Sequence, residues 1–249
     1  MASFEHGDAT IHYDVEGNGF PVLLIAPGGM RSANEIWTEM PWNPRTLADT
    51  YRVIGMDQRN AGRSSAPITP TDGWATYTAD QIALLDHLAI ERCHVVGMCI
   101  GGPYIAGLLR TEPDRFASAV MLQPVGIEPD GSNRAAFEEM IGRWVELQAD
   151  AHPEVDAATW ASFRVNMWNG EFVLTASEDD VAGFTTPLLV AMGNDLYHPQ
   201  ATSRRIAELA PDVTFVESWK EGDDLAAFDG VARGFLARHT PERRGPDGR

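Results

Sequence analysis

The amino-acid sequence predicts an α/β fold, in which a mostly parallel β-sheet is flanked by helices. Two observations predict it: continuous apolar runs such as 22–26 and 117–122, and the alternation of such runs with segments of helical spacing. Apolar runs of this kind are typical of strands that are covered on both faces. Strands that alternate with helices form parallel sheets, because each return connection crosses a face of the sheet. The length of 249 residues suits one domain with an insertion.

The order of elements follows from the spacing of apolar residues. Period-two alternation and continuous apolar runs predict eight strands, at 3–5, 9–15, 22–26, 52–56, 93–96, 117–122, 187–192 and 213–217. Apolar residues three and four positions apart predict helices at 78–88, 103–110, 203–209 and 225–238.

Residues 126–183 break this alternation and carry many Trp, Met and Phe side chains on short helical segments. We predict that they form a helical cap, inserted into a core that comprises 1–125 and 184–239. Residues 240–249 are rich in Arg, Pro and Gly, which predicts a disordered tail.

The apolar side chains of the cap suit a pocket for an apolar or flat organic substrate as well as ordinary helix packing. The residues that we expect to contact the substrate are Met140, Trp144, Met167 and Trp168.

The segment Gly97-Met98-Cys99-Ile100-Gly101-Gly102 lies between a predicted strand and a predicted helix. A glycine-bounded turn of this kind holds its central residue in strained backbone and exposes the Cys99 side chain at a helix start. A lone cysteine is ordinarily a small buried hydrophobe, but the glycine frame favours a nucleophile. Cys93 is six residues upstream, roughly 20 Å along an extended strand, so we expect two free thiols and a reducing, cytoplasmic location.

This segment resembles the nucleophile elbow of the α/β-hydrolase superfamily, with cysteine at the position of the usual serine. Three further stretches, 26–32, 57–64 and 192–199, resemble loops of the same superfamily, and the likeness extends over nearly the whole chain. It implies an α/β-hydrolase fold with a small helical cap.

The resemblance also implies site residues in the loop 26–32. The oxyanion hole would be formed by the backbone N–H groups of Gly29 and Ile100, with Gly28 as the neighbouring alternative. Gly28 and Met30 are further expected to contact the substrate.

Asp195 resembles the acid of the superfamily's catalytic triad, although a turn-forming Asn-Asp pair is the simpler alternative. The superfamily's histidine follows the last strand, but 218–225 contains no histidine, and Asp224 (or Asp223) occupies that place. Of the seven histidines, only His198 is expected near the strand ends, and it reaches Cys99 only if its loop curls inward. Two carboxylates facing Cys99 would favour a neutral thiol.

Three functions are consistent with these residues. The first is covalent acyl chemistry on an ester, thioester or lactone, by hydrolysis or acyl transfer, with Cys99 as the nucleophile. The second is a cyclase, isomerase or carbon–carbon lyase in which Cys99 and Asp224 transfer protons. The third is a small-ligand binder without catalysis, because a fold does not fix a function.

The expected partner is a small organic substrate, and homodimer formation is left open. The formal charge of −17 argues against nucleic acid and anionic membranes as partners. No apolar run is long enough to span a bilayer. Motifs for metal or nucleotide binding are lacking, so we expect neither a metal nor an organic cofactor.

Overall fold

The computed structural model describes residues 2–242 of the chain. Its centre is an eight-stranded sheet, and every predicted strand is present within one or two residues. The strands are β1 (Ala2–His6), β2 (Ala9–Glu16), β3 (Pro21–Ile25), β4 (Arg52–Met56), β5 (Cys93–Met98), β6 (Phe116–Leu122), β7 (Leu188–Ala191) and β8 (Val213–Val216).

The strand order is β1-β2-β4-β3-β5-β6-β7-β8. Pairing is antiparallel from β1 to β2 and from β2 to β4, and parallel from β4 through to β8. The predicted α/β class with a mostly parallel sheet is therefore confirmed. In parallel strands the carboxyl ends lie at one edge, and in open α/β sheets that edge is where ligands bind.

The α-helices are α1 (Trp74–His87), α2 (Gly101–Thr111), α3 (Arg134–Ala149), α4 (Ala157–Trp168), α5 (Glu178–Ala182), α6 (Gln200–Leu209) and α7 (Gly222–His239). Buried side chains of α1, α2 and α6 share one apolar core with the inner faces of α3 and α4. A second core on the opposite face of the sheet is formed with α7 and two 3₁₀ turns, 34–39 and 44–49. Cys99 packs against both cores, so the elbow lies at the end of the sheet, between the cores on its two faces.

The segment 126–183 contains α3, α4 and α5, which follow β6 and precede β7. Of the predicted tail, residues 243–249 lie outside the described part of the chain. Thr240 is fixed in place, because its hydroxyl donates to the Leu236 carbonyl and contacts His94 Nε2 at 2.9 Å. Among residues 2–242, none of the helices has the length and apolar character needed to span a bilayer.

Close approach of strand and helix explains the glycines around the elbow. A Cβ atom on Gly101 would lie 2.9 Å from the Ile25 carbonyl oxygen, and one on Gly97 would lie 3.0 Å from the backbone of Gly101. Real Cβ atoms essentially never make a contact as short as that of Gly101, and the contact of Gly97 is tighter than most, so glycine at these positions lets α2 begin directly above β5.

Gly102 gives a testable consequence of this packing. Its Cβ would lie 2.5 Å from Cβ and 2.8 Å from Cα of Pro124. We expect Gly102→Ala to lower the free energy of unfolding by about 1–3 kcal/mol, because the rigid proline has to move. Urea unfolding measures the effect. The matched control is Gly230→Ala on α7, where a Cβ meets nothing within 4 Å and stabilises by up to about 1 kcal/mol. Equal behaviour of the two variants would contradict the steric argument.

Candidate active site

Cys99 follows β5 directly and adopts a left-handed backbone conformation, with φ of 59°. Non-glycine residues adopt this conformation at an energetic cost, so the surrounding hydrogen bonds have to hold it. The Cys99 amide donates to the Leu122 carbonyl at 3.0 Å, and its carbonyl accepts from Gly102 and Val125 at 3.0 and 3.1 Å. The turn therefore projects the thiol at the carboxyl edge of the sheet.

The loop after β7 brings an acid and an imidazole together. Nδ1 of His198 lies 2.7 Å from Oδ1 of Asp195. The same carboxylate oxygen accepts the backbone N–H groups of Tyr197 and His198 at 3.0 and 3.1 Å, which is a side-chain-to-backbone turn typical of aspartate. The turn reverses the loop, so the side chain three residues after Asp195 returns over its carboxylate.

Gly193 and Ser203 fix the base of this loop. A Cβ on Gly193 would lie 2.3 Å from the His198 carbonyl oxygen, and the Gly193 N–H donates to the Ser203 hydroxyl at 3.1 Å. The neighbouring loop between β8 and α7 supports it from the side. Trp219 donates its indole N–H to the Met192 carbonyl at 2.9 Å, and Lys220 Nζ lies 2.7 Å from Oδ1 of Asn194.

The second ring nitrogen of His198 is not used by Asp195. Nε2 is buried and makes no hydrogen bond of regular geometry within residues 2–242. The imidazole nevertheless interacts with the Cys99 thiol through a hydrogen-bonding and a charge contribution. Contacts between nucleophile and base are often loose in unliganded enzymes and tighten around the substrate. Cys99 and His198 thus line one cavity, and the imidazole is bonded to a carboxylate of its own loop.

The pKa values of the three groups are shifted in mutually consistent directions. Burial alone would raise the pKa of the Cys99 thiol, but His198 and the backbone N–H groups of Gly28 and Ile100 bring it below its ordinary value. Burial would lower the pKa of His198, but Asp195 and Cys99 raise it to about 9. The hydrogen bond from His198 lowers the pKa of Asp195 to about 2. The pKa of the Cys99 thiol is thus shifted in the direction opposite to the one expected from two facing carboxylates.

The second thiol behaves in the opposite way. Cys93 is a free thiol that is fully buried in β5, and burial raises its pKa to about 12. A protonated, enclosed thiol is inert as a nucleophile. Cys93 is therefore a matched internal control for experiments on Cys99.

The backbone N–H groups of Ile100 and Gly28 lower the pKa of the Cys99 thiol. Ile100 is one of the predicted oxyanion donors. Gly29, the other, and the alternative Gly28 both line the active-site cavity, with φ of 60° and 114°. Of these two glycines, Gly28 is the one whose N–H lowers the pKa of the thiol.

A cavity of about 500 Å³ opens at the thiol, within the range of small-molecule sites. Its walls are mainly apolar and aromatic, with contributions from the loop after β3, from α3 and from the loop after β7. They are formed by Gly28, Gly29, Met30, Arg31, Cys99, Ile100, Val125, Phe137, Met140, Arg143, Trp144, Leu147, Trp168, Tyr197 and His198.

Most of the predicted substrate contacts lie in this wall, namely Gly28, Met30, Met140, Trp144 and Trp168. Met167 does not, because its side chain is fully buried in the apolar core, and its carbonyl accepts the Trp74 indole N–H at 2.7 Å.

Asp224 does not lie in the place expected of it. It is exposed in the first turn of α7 and is absent from the cavity wall and from the groups that act on Cys99. The physical reason is that Trp219 and Lys220 hold the preceding loop against the β7 loop, after which Gly222 begins the helix. The proton-transfer reaction that was to use Asp224 therefore has no geometric support.

Several wall residues were missed in the sequence. Phe137 and Leu147 share one face of α3 with Met140 and Trp144, a spacing of three and four residues that the helical period could have identified. Arg31 and Arg143 contribute positive charge to the wall, and no sequence motif pointed to them. Within residues 2–242, His, Cys, Asp and Glu side chains form no cluster suited to a metal ion.

Comparison with known proteins identifies the family to which the chain belongs. The sequence pattern of the α/β-hydrolase fold family matches residues 21–222. The chain belongs to the α/β-hydrolase fold family. The matched region extends from β3 to the first residue of α7, so it contains the elbow and the loop with Asp195 and His198.

Individual relatives agree with this assignment. A protein of Variovorax paradoxus (strain S110) named as a carbamate hydrolase, RutD, is 29% identical over 231 residues, with 82% of this chain and 85% of the relative covered. The non-heme chloroperoxidase of Streptomyces lividans is 29% identical over 236 residues, with 81% of each covered. The crystal structure of the enol-lactonase from Burkholderia xenovorans LB400 matches with a TM-score of 0.68 at 19% identity, over 95% of this chain and 100% of that chain. This last likeness establishes the fold alone.

Proposed function

We propose that this protein is a cysteine-dependent α/β hydrolase that cleaves an ester, thioester or lactone through an acyl-enzyme on Cys99. His198 is the general base and acid, and Asp195 orients it. The N–H groups of Gly28 and Ile100 hold the oxyanion. The acceptor of the acyl group is water, or in acyl transfer a second nucleophile.

The observation that carries the proposal is the combination at the elbow. A thiol in a left-handed turn opens onto a cavity and faces an imidazole that is itself bonded to a carboxylate at 2.7 Å. A buried cysteine with only a structural role needs neither the backbone cost nor the lowered pKa. The relative named as a carbamate hydrolase supports acyl chemistry by its name.

The reaction proceeds in two halves. The Cys99 thiolate attacks the carbonyl carbon, and the developing negative charge on the carbonyl oxygen is stabilised by the two amides. The tetrahedral intermediate collapses, the bond to the leaving group breaks, and the leaving group takes the proton of His198. Neutral His198 then removes a proton from water, which attacks the thioester and releases the acid and the Cys99 thiolate. One water is consumed for each bond cleaved.

The test is to trap the acyl-enzyme. Brief incubation with 4-nitrophenyl acetate, followed by acid quench and mass spectrometry of peptides, is expected to show one acetyl group on Cys99. Cys99→Ala should remove both the label and the turnover. Cys93→Ala, the matched control, should keep both because that thiol is buried and protonated.

Two results would contradict the proposal. One is turnover of the ester by Cys99→Ala at the wild-type rate, and the other is acetyl label that stays after this substitution and is lost in Cys93→Ala.

A further inference from the structure

The charge of the cavity wall is opposite to that of the chain. The protein has 36 acidic and 19 basic residues, yet the wall contains two arginines, Arg31 and Arg143, and no aspartate or glutamate among the described residues. An acidic protein repels anions unless cations are placed locally to attract them. The wall therefore has the charge of a site for an anionic group.

The two arginines differ in how they are used. Nη2 of Arg143 lies 2.9 Å from Oε1 of Glu139 one turn away on α3, so its charge is largely balanced. Arg31 is exposed at the cavity wall, and its side chain forms neither an ion pair nor a hydrogen bond with any residue from 2 to 242. It extends from the last position of the 3₁₀ turn that begins at Gly29, three residues after Gly28, whose N–H lowers the pKa of the thiol.

The charge of the reacting groups would repel an anionic substrate, so such a substrate needs a nearby cation to bind. The reacting form of Cys99 is the thiolate, and with Asp195 negative and His198 positive the three groups then carry a net charge of one negative unit. A substrate carboxylate near these groups would be repelled. An unpaired guanidinium at the same wall offsets that repulsion, and its two parallel N–H groups match a carboxylate.

Two further donors in the wall lack partners. The indole N–H groups of Trp144 and Trp168 are buried without a hydrogen-bond acceptor among the described residues, and the side chains are 4% and 3% exposed. Buried donors are normally satisfied, so an unsatisfied one in a cavity wall indicates an acceptor supplied by a ligand. The same wall thus contains a cation and neutral hydrogen-bond donors, and both kinds of group bind oxygen atoms of a substrate.

We propose that the acyl substrate of this enzyme carries a carboxylate that pairs with Arg31, and that Arg31 is the residue that determines this specificity. The inference rests on the proposed acyl chemistry at Cys99 and adds the chemical class of the substrate. The aromatic wall packs on the carbon chain between the reacting carbonyl and the carboxylate.

The first experiment compares two activated esters of similar length, the mono(4-nitrophenyl) ester of glutaric acid and neutral 4-nitrophenyl pentanoate. Arg31→Gln is expected to lower kcat/KM for the anionic ester at least tenfold, mainly through KM, and to change that for the neutral ester less than twofold. The control Arg92→Gln removes the same charge at an exposed position beside the amino end of β5, and should leave both esters unchanged.

The second experiment reads binding without turnover, so that failure of the acyl chemistry can be recognised separately. Glutarate is expected to protect Cys99 of the wild type, and of Arg92→Gln, from alkylation by iodoacetamide. Protection should be lost in Arg31→Gln. If neither ester is cleaved but this protection is seen, the acyl chemistry fails and the anion site stands.

Three results would overturn the proposal. They are equal losses of kcat/KM for the anionic and the neutral ester in Arg31→Gln, an equal effect of Arg92→Gln, and protection by glutarate that does not depend on Arg31.

Discussion

Replacing His198 with alanine is expected to lower kcat/KM for an activated ester by about a thousandfold or more. His198 is the group that faces the thiol from the acid–base loop, and general acid–base catalysis contributes about 10²–10⁴-fold in enzymes. The loss also removes the hydrogen bond and the charge that lower the thiol pKa. Once they are gone, burial dominates and the pKa of Cys99 rises.

The rate of Cys99 alkylation by iodoacetamide, measured against pH, separates these effects from misfolding. In the wild type the lowered pKa keeps alkylation fast at pH values below the pKa of an ordinary thiol, near 8.5. In His198→Ala the midpoint should move to higher pH. His239→Ala, at the end of α7, is the control and should leave both rate and midpoint unchanged. A midpoint that stays in place after loss of His198 would refute its role as the base.

The pH window of the ion pair follows from the same shifts. His198 in the folded protein has a pKa of about 9, above the ordinary value near 6.5. Its charged form therefore stabilises the fold fully below pH 6.5, and this contribution is lost as the pH rises through about 9. At low pH Cys99 takes up a proton and the thiolate is lost. We expect the rate of alkylation to vary least with pH between the pKa of Cys99 and that of His198, which is about 9.

The fold was predictable because its determinants are local in the sequence. The runs that form β3 to β8 are mainly apolar. The glycines around Cys99 indicate a turn that only small residues allow. Each signal is set within a few residues, and the parallel sheet follows from their alternation.

The acid–base loop was harder to predict because its conformation depends on two hydrogen bonds between near neighbours and one steric limit. Asp195 can be recognised as a carboxylate after a strand, but the return of His198 over it needs the turn accepted by Asp195 and the missing Cβ of Gly193. The resemblance to other hydrolases pointed to the loop that contains Asp224. That expectation overlooked Trp219 and Lys220, whose bonds to the β7 loop place Asp224 in solvent.

Replacing Asp195 with asparagine is expected to lower kcat by about 10²-fold or more with little change in KM. Asp195 acts through His198 and belongs to the positioning residues. An amide cannot balance the imidazolium charge, and its nitrogen competes for the ring position that the carboxylate fixes. Losses of up to about 10⁴-fold are known for this change in serine triads, and a thiol is the less dependent nucleophile.

This substitution also separates the charge of Asp195 from its role in the loop. Asparagine keeps a side-chain oxygen that can accept the N–H groups of Tyr197 and His198, so the turn should persist. The pKa of His198 should fall when the carboxylate charge is removed, and the midpoint of Cys99 alkylation should rise with it. Asp224→Asn makes the same chemical change on exposed α7 and should leave kcat and the alkylation midpoint at wild-type values. If Asp224→Asn reduced kcat as much as Asp195→Asn, or if Asp195→Asn retained full activity, the acid would have to be sought outside the β7 loop.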